Sequence, residues 1–239
     1  QNINIDISSF KAQGQLEPNV WTPSKTLDPK VRQRLITIAK KFWLSLNLPS
    51  VDIEDITFTG SLANYNWSKY SDVDLHILVD FTQLPGDNEI VEALMTAKRA
   101  SWNRRHDITI HGYEVEIYVQ DSNEPHHSTG VFSVQNDEWV TKPEKKTIAI
   151  DDELVLKKAN MLADQIERAE DFLEEKNYAL AREFTEKLKE KIRNFRKCGL
   201  EQSGEYSSEN IAFKALRRNG YLEKLSNLKV DSYDKIMSL

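Results

Sequence analysis

The stretch DVDLHILV at residues 72–79 constrains the fold most, because it places charged and apolar side chains on alternate positions. Alternate residues of a β-strand point to opposite faces of a sheet. Asp72 and Asp74 therefore share one face, about 6 to 7 Å apart along the strand. The pattern predicts a strand whose apolar face belongs to a core and whose other face carries two neighbouring carboxylates.

The composition is that of a globular protein with an ordinary core. The chain has 239 residues, of which 39% are hydrophobic and 29% charged. Its formal net charge of -6 argues against a surface built as a whole to bind nucleic acid, so a polyanionic partner would have to bind at a local basic site.

The chain carries one cysteine, Cys198, so it can form neither an internal disulfide nor a thiolate zinc site. The N-terminal stretch lacks the basic and apolar regions of a secretion signal, and no apolar run approaches the roughly 20 residues of a membrane span. We expect a cytoplasmic protein with no membrane partner.

Helical and strand patterns alternate over the first 150 residues. Asp28 can cap a helix that begins at Pro29, and Pro49 is expected to end it. A second helix is predicted at residues 88–105. Short strands are predicted at DITFTG, DVDLHILV, GVFSV and EWV, and DITIHGYEVEIYV predicts a hairpin that turns at His111 and Gly112.

Beyond residue 150 the sequence favours helices alone. Residues 152–197 carry apolar side chains at helical spacing and predict two helices that turn near Asn177. A glycine-containing break at CGLEQSGEYSS precedes a last helical segment, which Gly220 interrupts. We therefore predict an α+β fold: a mixed β-sheet flanked by helices over residues 1–150, and an all-helical C-terminal domain over residues 151–239.

The two aspartates predict a divalent metal site. Carboxylates so close together repel each other unless a cation lies between them. Mg²⁺, or Mn²⁺ in its place, suits the site because it prefers oxygen ligands and leaves its other positions to water and substrate phosphates. A third carboxylate from a separate strand would complete the site. Glu116 is our choice because it is central in GYEVEIYV, and Glu114, on the same face, is the alternative.

A Gly-Ser pair stands between the first two predicted strands. Gly60 would let backbone N–H groups approach a phosphate closely, and Ser61 adds a hydroxyl donor. A Gly-Ser pair alone is usually a turn, and an Asp-x-Asp pair alone is usually a solvated strand edge. Their order along the chain, followed by an acid inside a later strand, is the specific signal.

This order resembles the pattern of the DNA polymerase beta-like nucleotidyltransferase superfamily. That pattern is a hydrophobic-Gly-Gly/Ser segment, a spacer, Asp-hydrophobic-Asp, and a later acid between hydrophobic residues. The residues that match it lie between residues 55 and 120 and are Gly60, Ser61, Asp72, Asp74 and Glu116. One departure is that glutamate stands at the third acidic position, where aspartate is commoner in the superfamily.

The resemblance implies a nucleotidyltransferase-type sheet, a metal held by Asp72, Asp74 and Glu116, and nucleotide phosphates bound at Gly60 and Ser61. The implied reaction transfers a nucleoside monophosphate, with AMP and therefore ATP favoured, to an acceptor hydroxyl and releases pyrophosphate. The acceptor stays open among a small molecule, an RNA or tRNA end, a second nucleotide and a protein side chain.

Two other classes of function compete with this interpretation. The first is a non-catalytic nucleotide-binding regulatory protein that keeps the fold. The second is an interaction protein in which the motif is accidental. The presence of an acid at all three positions favours the enzyme.

Other residues near these motifs carry weaker signals. His76 shares the face of the aspartates and is expected to be a hydrogen-bonded neighbour, while Tyr65 and Trp67 are candidates to stack on a base. A run of basic residues follows residue 186. A solvated helix surface is its simpler interpretation, and a cationic wall against a triphosphate or nucleic acid is the alternative. The run comprises Lys187, Lys189, Lys191, Arg193, Arg196 and Lys197.

Overall fold

The computed structural model describes residues 7–48, 51–126, 128–146 and 149–239. The chain divides into two compact units. We call Ala12–Thr147 the sheet unit, and Ile148–Leu239 together with Gln1–Lys11 the helical unit. The division within the chain falls between residues 147 and 148, and the N-terminal segment groups with the helices.

The sheet unit contains one six-stranded mixed sheet. Its strands are β1 (Asp55–Thr59), β2 (Val73–Val79), β3 (Thr109–Ile110), β4 (Tyr113–Asp121), β5 (Val131–Ser133) and β6 (Glu138–Thr141). They are ordered β3-β4-β2-β1-β5-β6. Strands β2 and β4 pair in parallel, and the other pairs of the described strands are antiparallel. This arrangement confirms the predicted mixed sheet.

The apolar face of the sheet forms the core of this unit. A row of fully buried side chains crosses four strands, because the register pairs Phe132 with Phe58, Phe58 with Leu75, and Leu75 with Ile117. The helices α1 (Pro29–Ser45) and α2 (Asn88–Arg105) contribute to the same core. Burial of each such side chain stabilises the fold by roughly 1.5–3 kcal/mol.

Helix α1 begins as predicted but ends earlier than predicted. The Asp28 carboxylate accepts hydrogen bonds from the backbone N–H groups of Lys30 and Val31, which satisfies two donors of the first turn. The helix ends at Ser45, and Asn47 then adopts a left-handed conformation with φ of 49°. Pro49, the predicted end, lies outside the described residues.

The predicted hairpin is confirmed. Strands β3 and β4 pair in antiparallel register, with Ile110 opposite Tyr113. His111 and Gly112 between them have φ values of 50° and 87°. Two consecutive positive φ values are what a tight two-residue hairpin turn requires.

The helical unit is built from α3 (Asp152–Glu174), α4 (Tyr178–Ser203), α5 (Ser208–Arg218) and α6 (Tyr221–Met237). Asn177 caps α4 at the predicted turn, and Gly220, with φ of 77°, separates α5 from α6. The predicted break at CGLEQSGEYSS is shorter than expected, because α4 continues through Gly199. A Cβ at Gly199 would lie 2.4 Å from the Cβ of Glu209, so the glycine serves close helix packing instead.

The N-terminal segment packs within the helical unit. Phe10 is buried in a cluster with Val155 and Ile211. The Arg218 guanidinium lies 3.9 Å from the centre of the Phe10 ring and donates a hydrogen bond to the Ser9 hydroxyl. Among the helices in the described parts of the chain, none is both long and apolar enough to cross a bilayer.

Candidate functional site

The polar face of the sheet brings together residues that are distant in sequence. Thr59 lies opposite Asp74 in the antiparallel pair β1–β2, and Asp74 lies opposite Glu116 in the parallel pair β2–β4. Directly paired residues share a face, and neighbouring strands are about 4.8 Å apart. Asp74 and Glu116 are both half-buried. Two acidic side chains therefore lie side by side on two interior strands of the sheet.

Gly60 lies against the Asp74 carboxylate. It follows the end of β1 with φ of 81° and ψ of -168°, a conformation that side-chain-bearing residues avoid. A Cβ built at this position would lie 1.8 Å from Oδ2 of Asp74. Only glycine lets the backbone come so near the acid, so the predicted Gly60 and Asp74 belong to one site.

His76 occupies the next position on the same face of β2 and is fully hydrogen-bonded. Its Nε2 is 3.0 Å from Oγ1 of Thr59, and its Nδ1 is 3.2 Å from Oε1 of Gln120. Burial lowers the pKa of His76 to about 4, although the hydrogen bond with Gln120 opposes the shift. The ring is therefore neutral at neutral pH, and Nδ1 donates to the Gln120 oxygen while Nε2 accepts from Thr59.

Tyr118 connects His76 to Glu116. Its ring stacks on the His76 ring at 4.9 Å with an angle of 18° between the planes. Its hydroxyl donates a 2.5 Å hydrogen bond to Oε2 of Glu116. Burial raises the pKa of Tyr118, and so do the hydrogen bond to Glu116 and the nearby charge of Asp74. Tyr118 is thus a neutral donor that orients the Glu116 carboxylate.

Helix α2 supports the outer side of this network. The Arg99 guanidinium lies 4.6 Å from the centre of the Tyr118 ring. One turn further along, the Asn103 side chain donates to the carbonyl of Ile117 and accepts from its N–H, both at 3.2 Å. Strand β3 pairs only with Tyr113 and Glu114 of β4. Asn103 therefore supplies the hydrogen-bond partners of the β4 backbone at Ile117, which β3 does not reach. It also fixes the strand that carries Glu116.

Ser61, predicted to donate to a phosphate, donates its hydroxyl proton within the protein. Its hydroxyl donates a 2.7 Å hydrogen bond to Oγ of Ser71, which also accepts from the Ser68 N–H at 2.9 Å. Asp72 follows Ser71 and is half-buried, directly before the first residue of β2. Ser61 therefore ties the segment after Gly60 to the segment that carries Asp72.

The competing candidates for the site differ in exposure. Glu114 is exposed and lies opposite Thr109 at the edge strand β3, whereas Glu116 is half-buried beside Asp74. Tyr65 is 6% exposed and belongs to the core, so it offers no free ring face for stacking.

Trp67, the other stacking candidate, is anchored to a loop of the sheet unit. Its Nε1 donates to the carbonyl of Gln15 at 2.8 Å, and its own carbonyl accepts from the Gln13 side chain at 3.2 Å. These bonds join the spacer between Gly60 and β2 to residues that precede α1. The indole N–H is therefore committed to the protein backbone.

The carboxylates form a pair and not a completed metal cluster. Across residues 7–48, 51–126, 128–146 and 149–239, no group of three or more histidine, cysteine, aspartate or glutamate side chains is arranged to hold a metal ion. The donor set of Asp72, Asp74 and Glu116 nevertheless consists of oxygen atoms, the ligands that Mg²⁺ prefers. Asp74 and Glu116 are the two of these acids that the register places directly opposite each other.

Several residues of the site carry weaker sequence signals than the acids. Tyr118 and Gln120 could have been found, because they follow Glu116 at intervals of two on a strand. Arg99 and Asn103 could not, because their helix approaches the sheet only through tertiary packing.

Comparisons with known proteins do not assign the chain to a family. No protein-family model matches the chain, and no curated protein or solved structure gives a match.

Proposed function

We propose that the polar face of the sheet unit is the active site of a nucleotidyltransferase. The enzyme transfers a nucleoside monophosphate, AMP in preference to the others, from a nucleoside triphosphate to an acceptor hydroxyl. The observation that carries the proposal is the parallel pairing of β2 with β4, which sets Glu116 opposite Asp74 beside the backbone of Gly60. This is the arrangement expected if the motif resemblance reflects a common catalytic core.

The acidic residues supply the charge that the reaction needs. Asp74 and Glu116, with Asp72 directly before β2, would hold Mg²⁺ or Mn²⁺ together with substrate phosphates. When bound, such a cation would neutralise phosphate charge and lower the pKa of the acceptor hydroxyl. Tyr118 keeps one oxygen of Glu116 in place through its hydrogen bond and leaves the other oxygen for a ligand.

Gly60 and Ser61 would border the phosphates of the nucleotide. The absence of a Cβ at Gly60 gives a phosphate access to the backbone next to Asp74. In the reaction the acceptor oxygen bonds to the α-phosphorus as the bond from that phosphorus to the bridging oxygen breaks. Pyrophosphate leaves with the electron pair, and the hydroxyl proton is released to solvent. Positioning and charge neutralisation carry the rate.

The first test is turnover with each labelled nucleoside triphosphate in the presence of Mg²⁺. Candidate acceptor pools are small metabolites, RNA and tRNA, nucleotides, and proteins, with pyrophosphate release and labelled product as readouts. We expect ATP to react best. Metal-dependent binding of nucleotide without turnover in any pool would instead support the regulatory protein. Absence of both binding and turnover would exclude both interpretations.

A matched pair of variants tests the choice of the third acid. Glu116→Gln and Glu114→Gln make the same change on the same face of β4, two residues apart. We expect Glu116→Gln to abolish metal-dependent turnover and Glu114→Gln to leave it near wild type. Loss of turnover in the Glu114 variant alone would show that the choice of Glu116 is wrong.

A further inference from the structure

A pocket of about 280 Å³ opens in the helical unit, between α4, α5 and α6. Its apolar lining consists of Ile192, Phe213, Leu222 and Leu225. Ile192 and Leu225 are buried, while Phe213 and Leu222 are half-buried and line the open part. The volume is slightly below the roughly 300–1,000 Å³ of small-molecule sites. The pocket can therefore take the apolar body of a small ligand.

Three cationic side chains stand over this apolar lining. Lys189, Arg193 and Arg196 are spaced by four and three residues on α4, so they share one face of that helix. The basic residues that follow residue 186 in the sequence therefore include some that border the pocket and some that do not. These three border the pocket, whereas Lys187 is an exposed residue that pairs with Glu183.

Two of the three cations are held in place by neighbours. The Lys189 ammonium donates a 3.1 Å hydrogen bond to Oγ of Ser226, which also lines the pocket. The Arg196 guanidinium lies 4.5 Å from the centre of the Phe213 ring, and its Nε donates to Oδ1 of Asn210 at 3.2 Å. Both heads are therefore positioned at the rim before any ligand arrives.

The third cation, Arg193, is more open. Its guanidinium lies 3.9 Å from the Glu190 carboxylate, and both side chains are mostly exposed. An exposed pair at this distance contributes little and is readily exchanged for a better partner. Among the described residues that line the pocket, none is acidic. The rim is consequently cationic.

The region beside the pocket also accumulates positive charge. Burial lowers the pKa of Lys214 to about 8, Glu205 opposes this shift, and the guanidinium groups of Arg217, Arg218 and Arg196 add to it. Of these cations Arg196 lines the pocket, and an anion bound beside it would relieve part of the repulsion among them.

We propose that this pocket binds a small organic anion. The apolar body of the ligand lies on Phe213 and Leu222, and Lys189 and Arg193 hold its carboxylate, sulfonate or phosphate group. A concave apolar lining under a cationic rim suits such a molecule better than an extended nucleic-acid backbone, whose charges follow a surface. The site is independent of the proposed nucleotidyl transfer.

The test compares two fluorescent probes that share one aromatic body. Anilinonaphthalene sulfonate carries the anionic group, and phenylnaphthylamine lacks it. We expect the full-length protein to bind the sulfonate at least about tenfold more tightly than the uncharged probe. One charge-assisted hydrogen bond contributes about a tenfold change in the dissociation constant. High salt should weaken binding of the sulfonate more than binding of the amine. Equal affinity for the two probes would overturn the proposal.

Variants locate the binding. Arg193→Gln and Lys189→Met should each weaken the sulfonate by about tenfold. The control Lys187→Gln removes one charge from the same helix outside the pocket and should change the affinity by less than about twofold. Ser226→Leu narrows the pocket while the three cations remain, and should weaken binding of both probes.

Thermal unfolding of each variant separates loss of the pocket from loss of the fold. If the folded Arg193→Gln and Lys189→Met variants bind the sulfonate as the wild type does, the probe binds elsewhere and the proposal fails. Competition against the bound sulfonate probe in the wild-type protein identifies the apolar part of the ligand. Displacement by naphthyl phosphate indicates an aromatic anion, and displacement by decanoate indicates an aliphatic one. Displacement by neither would contradict a site for organic anions.

Discussion

The two faces of strand β2 share one backbone but differ in the polarity and burial of their side chains. On one face Val73, Leu75 and Ile77 have no exposed surface and join the core. On the other face Asp74 and His76, one residue away, are half-buried among polar partners. The period of two in a strand separates these roles over residues 73–77, whereas Leu78, which follows on the face of the acid, is buried and apolar. A single strand can therefore supply stability on one face and chemistry on the other.

The comparison also shows how each face is maintained. The apolar face needs only complementary volume, since the four-strand row of buried side chains is held by packing. The polar face needs a partner for each group: Thr59 and Gln120 satisfy His76, and Tyr118 satisfies one oxygen of Glu116. Substitutions should therefore affect stability on the first face and activity on the second.

The largest expected effect is that of Asp74→Asn on the polar face. We expect nucleotidyl transfer to fall by about 10³-fold, which corresponds to roughly 4 kcal/mol of activation free energy. The free energy of unfolding should change by less than about 1 kcal/mol, because the amide keeps the shape of the acid and removes one of two neighbouring charges. Pyrophosphate release and urea denaturation measure the two quantities. An Asp74→Asn variant that loses several kcal/mol of unfolding free energy but keeps its turnover would contradict the separation of the two faces.

Leu75→Ala, the adjacent residue on the apolar face, should show the opposite behaviour. Leu75 has no exposed surface, so its truncation leaves a cavity that costs about 3 kcal/mol of unfolding free energy. Turnover per folded molecule should remain close to wild type at a temperature where the variant is folded. Urea denaturation, combined with activity corrected for the folded fraction, checks both parts.

Gly60→Ala should affect both properties at once, because Gly60 lies where the backbone meets the acid. The positive φ disfavours alanine, and its Cβ would overlap with Oδ2 of Asp74. We expect a loss of about 2 kcal/mol in unfolding free energy, together with weaker nucleotide binding. The control is Gly112→Ala in the β3–β4 turn, where φ is also positive but a Cβ meets nothing within 4 Å. Equal effects on nucleotide binding in the two variants would indicate backbone strain alone.

The smallest expected effect is a pH dependence that belongs to the polar face. The pKa of His76 in the folded chain is about 4, below the value of about 6.5 for an unfolded histidine. Between these values the unfolded chain binds a proton that the folded chain does not, so stability falls as the pH drops through this window. From pH 7 to pH 5 we expect a loss of about 1 to 2 kcal/mol from this residue.

His76→Gln removes that contribution. The variant should lose less unfolding free energy than the wild type between pH 7 and pH 5, as measured by urea denaturation at both pH values. The Leu75→Ala variant serves as the control, since its cavity should cost the same at both. A His76→Gln variant with the wild-type pH dependence would show that the proton binds elsewhere.

The elements of the fold were predictable wherever their signals are local. Asp28 and Pro29 mark the start of α1, His111 and Gly112 form the hairpin turn, and Asn177 caps α4, because each signal acts over a few residues. The ends of elements were less predictable. Helix α4 continues past Gly199, since packing against Glu209 outweighs the preference of glycine for a break.

The alternation in DVDLHILV is enough to predict that β2 carries acids on one face and core residues on the other, because alternation is a property of a single strand. The identity of the strand beside β2, in contrast, follows from the three-dimensional packing of the chain. Parallel pairing with β4 puts Glu116 next to Asp74, and the approach of α2 adds Arg99 and Asn103. Strand order depends on the packing of the whole core, which no short segment encodes. The position of Asp74 on the polar face can therefore be predicted from its own strand, whereas its neighbours Glu116, Arg99 and Asn103 cannot.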